Sequence, residues 1–340
     1  MILNEFDIKE LAGWLRKSGE SPFRARQIFK WLWQKGESDP FSFTDLPKAL
    51  REKLASEFEV GQLKVIEVLR SKDGSIKFLM ELPDGEKVES VFIPEADRKT
   101  VCVSSQVGCP LRCAFCATGL MGFRRNLKAW EIAGQVLEIR KYLGLERVTN
   151  VVFMGMGEPF LNTEETLRAV RILNEPWGPG IGARKITLST VGIIPGIRKL
   201  VSFDRQVKLA ISLHTAIQEK REKLVPIARQ YPVSALKEVL VDYYERTRRR
   251  ITIEYVHLPG VNDTDEDVEA LSEFLDGMKA KINLIPFNPH PKLPFRPPTD
   301  DEVKAFLEKL YRLPHAVTLR KSKGRDVRGA CGQLAIERIQ

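Results

Sequence analysis

Gly108-Cys109-Pro110-Leu111-Arg112-Cys113-Ala114-Phe115-Cys116 places three of the chain's five cysteines within eight residues. The spacing is C-x3-C-x2-C, with no fourth cysteine beside it. Three thiolates can hold three corners of a four-iron cluster and leave one iron open to a ligand, whereas ordinary low-potential clusters take four cysteines. Zinc is the competing reading, but it asks for four Cys or His ligands, and the nearest histidine in sequence is His214. Three buried structural thiols are the other alternative, which the small and polar neighbours disfavour. An odd number of cysteines also fits metal or catalytic use better than a disulfide framework.

A candidate strand, residues 100–105, lies just upstream of the motif. From there strands and helices alternate. Further strands are expected at 148–154, 185–190, 207–213, 251–257 and 281–287, with a seventh at 316–321. Helical spacing marks 129–143, 163–173, 234–246, 265–277 and 300–310. Such alternation predicts an α/β fold, a parallel sheet with helices outside. Six units make a partial (β/α)6 barrel of the TIM-like kind. Chemistry in such barrels sits at the C-terminal ends of strands, which is where the cysteine motif falls.

Residues 1–95 read differently and form a small N-terminal accessory region; 96–340 form the barrel with a C-terminal cysteine loop. Leu11, Trp14, Leu15 and then Ile28, Phe29, Trp31, Leu32 recur at helical spacing. Asp45-Leu46-Pro47 reads as a helix start with Asp45 as cap. Short strands at 65–69, 76–80 and 88–93 are separated by Asp73-Gly74 and Asp84-Gly85, good hairpin turns.

The 340 residues are 43% hydrophobic and 29% charged, the balance of a globular protein. No apolar run is long enough to cross a membrane, and Met1 to Glu10 carries acids rather than a secretion leader. A cytoplasmic location is expected. A net charge of +9 favours polyanionic partners, nucleic acid first. Basic runs at 246–250 and 320–328 could equally be solvated faces.

The second expected strand ends in Met154-Gly155-Met156-Gly157-Glu158-Pro159. A glycine turn lets backbone approach a ligand closely, and Glu158 adds an acceptor for an ammonium group. Later strand ends carry Ser189, then Ser212-Leu213-His214, then Asn288. Each alone reads as a turn or cap. Together they stand at the barrel end that should hold the site. Cys102 alone reads as a small core residue. Cys331, in Gly329-Ala330-Cys331-Gly332, has small neighbours that expose it and leave its loop mobile, and Arg325 and Arg328 nearby would favour its thiolate.

The triplet, with Phe115 before its last cysteine, resembles the radical S-adenosylmethionine (SAM) enzymes. The runs Cys102 to Cys109, Gly122 to Leu127, Met154 to Pro159, Ala210 to His214 and Ala330 to Leu334 together resemble the dual-specificity RNA adenine-C2 methyltransferases called RlmN. The resemblance implies a [4Fe-4S] cluster on Cys109, Cys113 and Cys116, one per chain. It implies SAM contacts from Gly157, Glu158, Ser189, Ser212, Leu213, His214 and Asn288, with two SAM molecules consumed per methyl placed. Cys331 matches the cysteine that carries the methyl group. Cys102 matches the one that resolves the RNA adduct through a transient Cys102–Cys331 disulfide. Glu89 matches the base that takes the adenine C2 proton; its residues alone read as a solvent-facing strand position. The implied substrates are 23S rRNA and tRNA. The implied electron donor is a low-potential protein such as flavodoxin or ferredoxin, and a monomer is expected. An adenine-C8 methyltransferase of the Cfr type shares these cysteines, and the longer helical N-terminus favours C2. A non-catalytic iron–sulfur RNA-binding protein is the alternative from another class.

Overall fold

The structure, a computed structural model, describes residues 1–336. The last four residues of the expected barrel span lie outside them. Three helices come first: α1 (Ile8–Lys17), α2 (Arg24–Phe29) and α3 (Lys48–Glu57), with a π-helical stretch Lys30–Lys35 continuing α2. Asp7 accepts from the N–H groups of Lys9 and Glu10, while Glu10 reaches back to the Asp7 N–H. Such a cap holds a helix start by about 1 kcal/mol. The cap expected at Asp45 does not form. Pro47 is the N-cap of α3, and the Asp45 carboxylate instead accepts the Trp31 indole N–H at 2.6 Å. The helices dock on the barrel through Arg168, which donates to Glu5 O and the Glu10 carboxylate, and through Gln34, which donates to Pro176 O.

Next come β1 (Lys64–Arg70), β2 (Ile76–Glu81), β3 (Lys87–Glu95) and β4 (Arg98–Cys102), an antiparallel meander turning at the two Asp-Gly pairs. A two-stranded ribbon follows, β5 (Gln106–Gly108) with β6 (Phe123–Asn126). The remaining elements alternate: α4 (Ala129–Tyr142), β7 (Asn150–Phe153), α5 (Thr163–Asn174), β8 (Ile186–Thr190), α6 (Ile194–Val201), β9 (Lys208–Ser212), α7 (Gln218–Leu224), α8 (Val233–Thr247), β10 (Ile251–His257), α9 (Asp265–Leu275), β11 (Ala280–Pro286), α10 (Asp300–Leu310) and β12 (Ala316–Leu319). Strands β4, β7, β8, β9, β10, β11 and β12 pair in that order, all parallel. The expected partial (β/α)6 barrel is therefore present, with β12 as a seventh strand. Because β3 pairs with β4, the meander continues the barrel's own sheet, ten strands in all. No helix of the described residues is long and apolar enough to cross a membrane.

Two faces of the sheet behave differently. Outward residues such as Val151, Leu188, Leu209, Ile253 and Ile282 are fully buried under the helices. Burial of such side chains contributes about 1.5–3 kcal/mol each. The alternate inward positions hold Thr100, Asn150, Thr187, Thr252 and Asn283, all half-buried. A closed TIM barrel fills that space with branched apolar side chains. Here it stays polar.

The sheet curves enough that Arg320, just past β12, reaches Met154 past β7, with Nη1 3.3 Å from Sδ. Beyond Arg320 the chain straps back across the meander. Asp326 accepts from Ser71 Oγ and the Lys72 N–H, and Asp73 accepts from the Gly324 N–H at 2.8 Å. The strap then delivers Cys331 to the C-terminal ends of the strands.

Candidate active site

The cluster loop is fixed by its glycine entrance. Gly108 has φ +73°, and a Cβ there would stand 1.9 Å from Gly122 O. Only glycine lets the β5–β6 ribbon close, and that closure lets the Cys109 N–H donate to Gly122 O at 2.8 Å. The far side of the loop is tied to α7 by the Ala114 N–H on Leu224 O. Cys109, Cys113 and Cys116 all line one cavity, together with Gly157, Glu158, Ser189, Ser212, His214, Asn288 and Cys331.

The three thiols suit a cluster. Burial first, and then their mutual proximity, pushes the thiols up, Cys109 to about 12. Such sulfurs ionise only against strong positive charge. Backbone N–H groups of Leu111 and of Gly119 and Thr118 are aimed at Cys109 and Cys116, the hydrogen bonding that tunes cluster sulfurs. No three His, Cys, Asp or Glu groups among the described residues stand close enough to hold a single ion. A four-iron cluster does not ask that, since each thiolate binds its own iron.

The turn after β7 is built for close approach. Gly157 has φ +96°, and a Cβ there would meet Gln106 Cβ at 2.6 Å. Glu158 is buried, and its two oxygens accept the N–H groups of Phe160 and Val191, each at 2.9 Å. It thus ties β7 to β8. Burial dominates those bonds and raises its carboxyl to about 7. Ser189 and Ser212 face each other, Oγ to Oγ 3.4 Å. His214 accepts the Val256 N–H at Nδ1, which puts its own hydrogen on Nε2, and its ring meets Phe115 edge-on at 4.4 Å. Burial, then the Arg221 charge, lowers its pKa to about 3, so it stays neutral. Leu213 is not among the cavity-lining residues: its side chain is fully buried in the core, and its carbonyl accepts from Arg221.

Asn288 Nδ2 donates to Cys331 O at 3.1 Å, leaving a buried Oδ1 without a partner among the described residues. The Cys331 loop is further pinned by Ala117 N–H on Gly332 O, Thr118 Oγ1 on Leu334 O and Gln333 on Pro289 O. The loop is thus held, not free to swing, and the thiol is half-buried. Arg325 and Arg328 are exposed. A buried cation coupled to Cys331 and Cys102 is Arg320, whose own pKa is raised by Cys331 first, and by Glu254 and Cys102 in lesser degree. Arg320 also stands 3.7 Å from Glu254. Sequence spacing held no sign of it, because curvature, not proximity along the chain, brings β12 over β4 and β10. Cys102 ends β4, and burial lifts its thiol to about 12. All five cysteines are free, so the expected disulfide is not present here.

Glu89 is not the solvent-facing residue its pattern implied. It is 4% exposed, covered on both faces of β3, and Lys77 Nζ lies 2.8 Å from its Oε1. Oε2 is buried and accepts no close hydrogen bond from the described residues. Burial raises its pKa, and Lys77 opposes the shift. Arg221 is another residue the sequence did not mark. It is fully buried, with no carboxylate partner among the described residues, donating to Leu213 O and Val191 O and coupled to Cys113.

Comparison with known proteins agrees with this geometry. The radical SAM superfamily description matches residues 103–275, and that of the ribosomal RNA large subunit methyltransferase N-terminal domain matches 2–60. The dual-specificity RNA methyltransferase RlmN of Syntrophobacter fumaroxidans is 43% identical over 99% of this chain and 98% of its own. The RlmN of Solidesulfovibrio magneticus is 45% identical over 98% of this chain and 96% of its own. A radical SAM methyltransferase from Sphaerobacter thermophilus superposes with a TM-score of 0.92 at 43% identity, covering 99% of this chain and all of its own. With the three cluster thiols, the glycine turn and Cys331 around one cavity, the chain belongs to the radical SAM superfamily and, within it, to the RlmN family of dual-specificity RNA methyltransferases.

Proposed function

We propose that this chain methylates C2 of adenine in 23S rRNA and tRNA, using Cys331 as a covalent methyl carrier. The observation that carries the reading is Cys331 itself, seated on the cavity of the three cluster cysteines while sharing Arg320 with Cys102. Cys109, Cys113 and Cys116 would hold the cluster, which when bound supplies the electron that cleaves SAM to methionine and a 5′-deoxyadenosyl radical. Gly157, Glu158, Ser189, Ser212, His214 and Asn288 orient SAM, with Leu213 contributing backbone only.

Adenine C2 is electron-poor, so direct transfer from a sulfonium fails there. Dividing the reaction through a protein nucleophile is the usual answer to such a barrier. Cys331 takes a methyl from one SAM, which leaves as S-adenosylhomocysteine; the radical from a second SAM would remove a hydrogen atom from that methyl, whose carbon then bonds to C2, and the adduct's odd electron would pass back to the bound cluster. Glu89, whose burial raises its basicity, takes the C2 proton. Cys102 then attacks the Cys331 sulfur; the S–CH2 bond breaks with its electron pair on carbon, a proton completes the methyl group, and a Cys102–Cys331 disulfide remains. The target adenine must leave its stack to enter. A groove beside the cluster loop, with Lys87, Arg124 and Lys292 on its walls, offers a path for the phosphates. A low-potential protein such as flavodoxin or ferredoxin is the expected electron donor, and the cytoplasm the expected location.

Intact-protein mass tests the carrier: a methyl group on Cys331 is expected in protein isolated from cells. Digestion of modified RNA against a 2-methyladenosine standard tests the position. Finding the 8-methyl isomer alone would move the chain to the C8 type.

A further inference from the structure

A second cavity lies inside the barrel, below the first. Its walls are the inward positions of β4, β7, β8, β9, β10, β11 and β12, and it includes Cys102. Met154, Glu254, Arg320, Cys331 and Leu334 line both cavities. The cluster cysteines line only the upper one, and Cys102 only the lower. Arg98, Asn150, Lys208 and Lys281, at or next to the first residues of their strands, also line the lower cavity. It therefore extends to the end of the barrel opposite the cluster.

Its charge is one-sided. Arg98, Lys208, Lys281, Arg320, Lys321 and Lys323 stand against two carboxylates, Glu95 and Glu254. Glu95 pairs with Arg98 and Glu254 with Arg320. Lys208 is disfavoured as an ammonium by partial burial and then by Lys185, Lys281, Arg250 and Arg98. Crowded cations without acids are costly unless an anion joins them. Thr100, Asn150, Thr187, Thr252, Asn283 and Thr318 add neutral polar groups to the walls, with Ile93, Val152 and Leu319 as apolar patches among them.

We propose that this lumen binds a small anionic thiol, the reductant that reopens the Cys102–Cys331 disulfide after each methylation. The proposal rests on the roles given above to those two cysteines. The chemistry is thiol–disulfide exchange. One ligand thiolate attacks the Cys102 sulfur, the S–S bond breaks, and Cys331 departs as thiolate beside the Arg320 guanidinium. A second ligand thiolate attacks the mixed disulfide and expels the Cys102 thiolate. The ligand leaves as its own disulfide, oxidised by two electrons, and the two protein sulfurs take up two protons.

The full-length protein is oxidised mildly to form the Cys102–Cys331 disulfide, confirmed by peptide mapping. Its reduction is then timed with 2-mercaptoethanesulfonate, 2-mercaptoethanol and cysteamine, each rate normalised to thiolate concentration. The anionic thiol should outpace the cationic one by about tenfold or more at low salt, the scale of electrostatic steering. The ratio should shrink toward one at high salt and in Lys208→Glu/Lys281→Glu. The milder Lys208→Gln/Lys281→Gln pair covers misfolding of the first. Equal rates for the three thiols overturn the proposal, as does failure of the two cysteines to pair under oxidant. The catalytic reading fails separately, if Cys102→Ala turns over RNA without accumulating a protein–RNA adduct.

Discussion

At the scale of single residues, Glu89 and Lys77 form the most exposed test of the chemistry. A buried pair that loses one member costs about 3–5 kcal/mol, because the other charge is stranded. Lys77→Met removes the charge that opposes burial and should therefore push the Glu89 pKa further up. A base works only when ionised, so activity should rise with pH through the Glu89 pKa. The variant's pH–rate profile should show that rise displaced upward, with the cluster's absorbance unchanged. An unshifted profile would count against Glu89 as the base. The cysteines separate in the same way. Cys113→Ala should lose cluster colour and activity together, whereas Cys331→Ala should keep the colour and lose methyl transfer.

His214 gives a stability signature. Its folded pKa of about 3 lies below the ordinary histidine value of 6.5. Below pH 6.5 the unfolded chain binds a proton that the folded protein refuses, so stability drains as pH falls from 6.5 toward 3. The slope from one such proton is at most about 1.4 kcal/mol per pH unit. His214→Asn keeps a side chain suited to the positive φ of 65° at that position and removes the proton. Urea melts between pH 5 and 7 should show a shallower pH dependence for the variant. These residues also mark what the sequence could and could not disclose. Cys331 was legible because its motif is local. Arg320 and Lys77 were not, since their partners lie on strands remote in sequence.

At the scale of elements, the seven parallel strands were legible within a few residues at each end, because their apolar runs are bounded by turns. The missing pieces share a cause. The β5 strand has three residues, α7 has seven of mostly polar character, and α6 opens on Ile194-Pro195-Gly196, which reads as a turn. The tightest element is the turn after β7. Gly157→Ala must accept both a positive φ and a clash with Gln106, a strain of about 1–3 kcal/mol before the clash is counted. Thermal unfolding should show a clear loss of stability, and SAM binding should weaken with it. The strap is a separate element with a separate test. Asp326→Ala removes its bonds to Ser71 and Lys72. Limited proteolysis should then cut near residues 320–330, and Cys331 should be methylated more slowly with the cluster intact.

At the scale of the whole molecule, the helical module, the meander and the barrel form one continuous body. The net charge of +9 foretold a polyanionic partner without saying which face would meet it. One face of the helical module now has a suitable character. Phe23 is exposed, Arg26 stacks over Phe23 and Trp177, and Lys30 lies 4.6 Å over Trp177. Cations interleaved with aromatic rings suit phosphates and unstacked bases. Arg26→Glu/Lys30→Glu should weaken RNA binding at all salts and flatten the dependence of log affinity on log salt, by about one for each phosphate no longer neutralised. An unchanged slope would place the RNA elsewhere.

The five side chains common to the two cavities have a consequence for how long a reactive species survives. An S–H bond is weak, and a thiol that meets a carbon radical surrenders its hydrogen and ends the reaction. An enzyme that needs both a radical and a thiol reductant must keep them from meeting. Met154, Glu254, Arg320, Leu334 and the half-buried Cys331 stand where the two spaces adjoin, so the sulfur that must be regenerated is within reach of both. Reductant drawn to the lower side can attack Cys102 there and so free the Cys331 sulfur, without entering the chamber where it would be a poison.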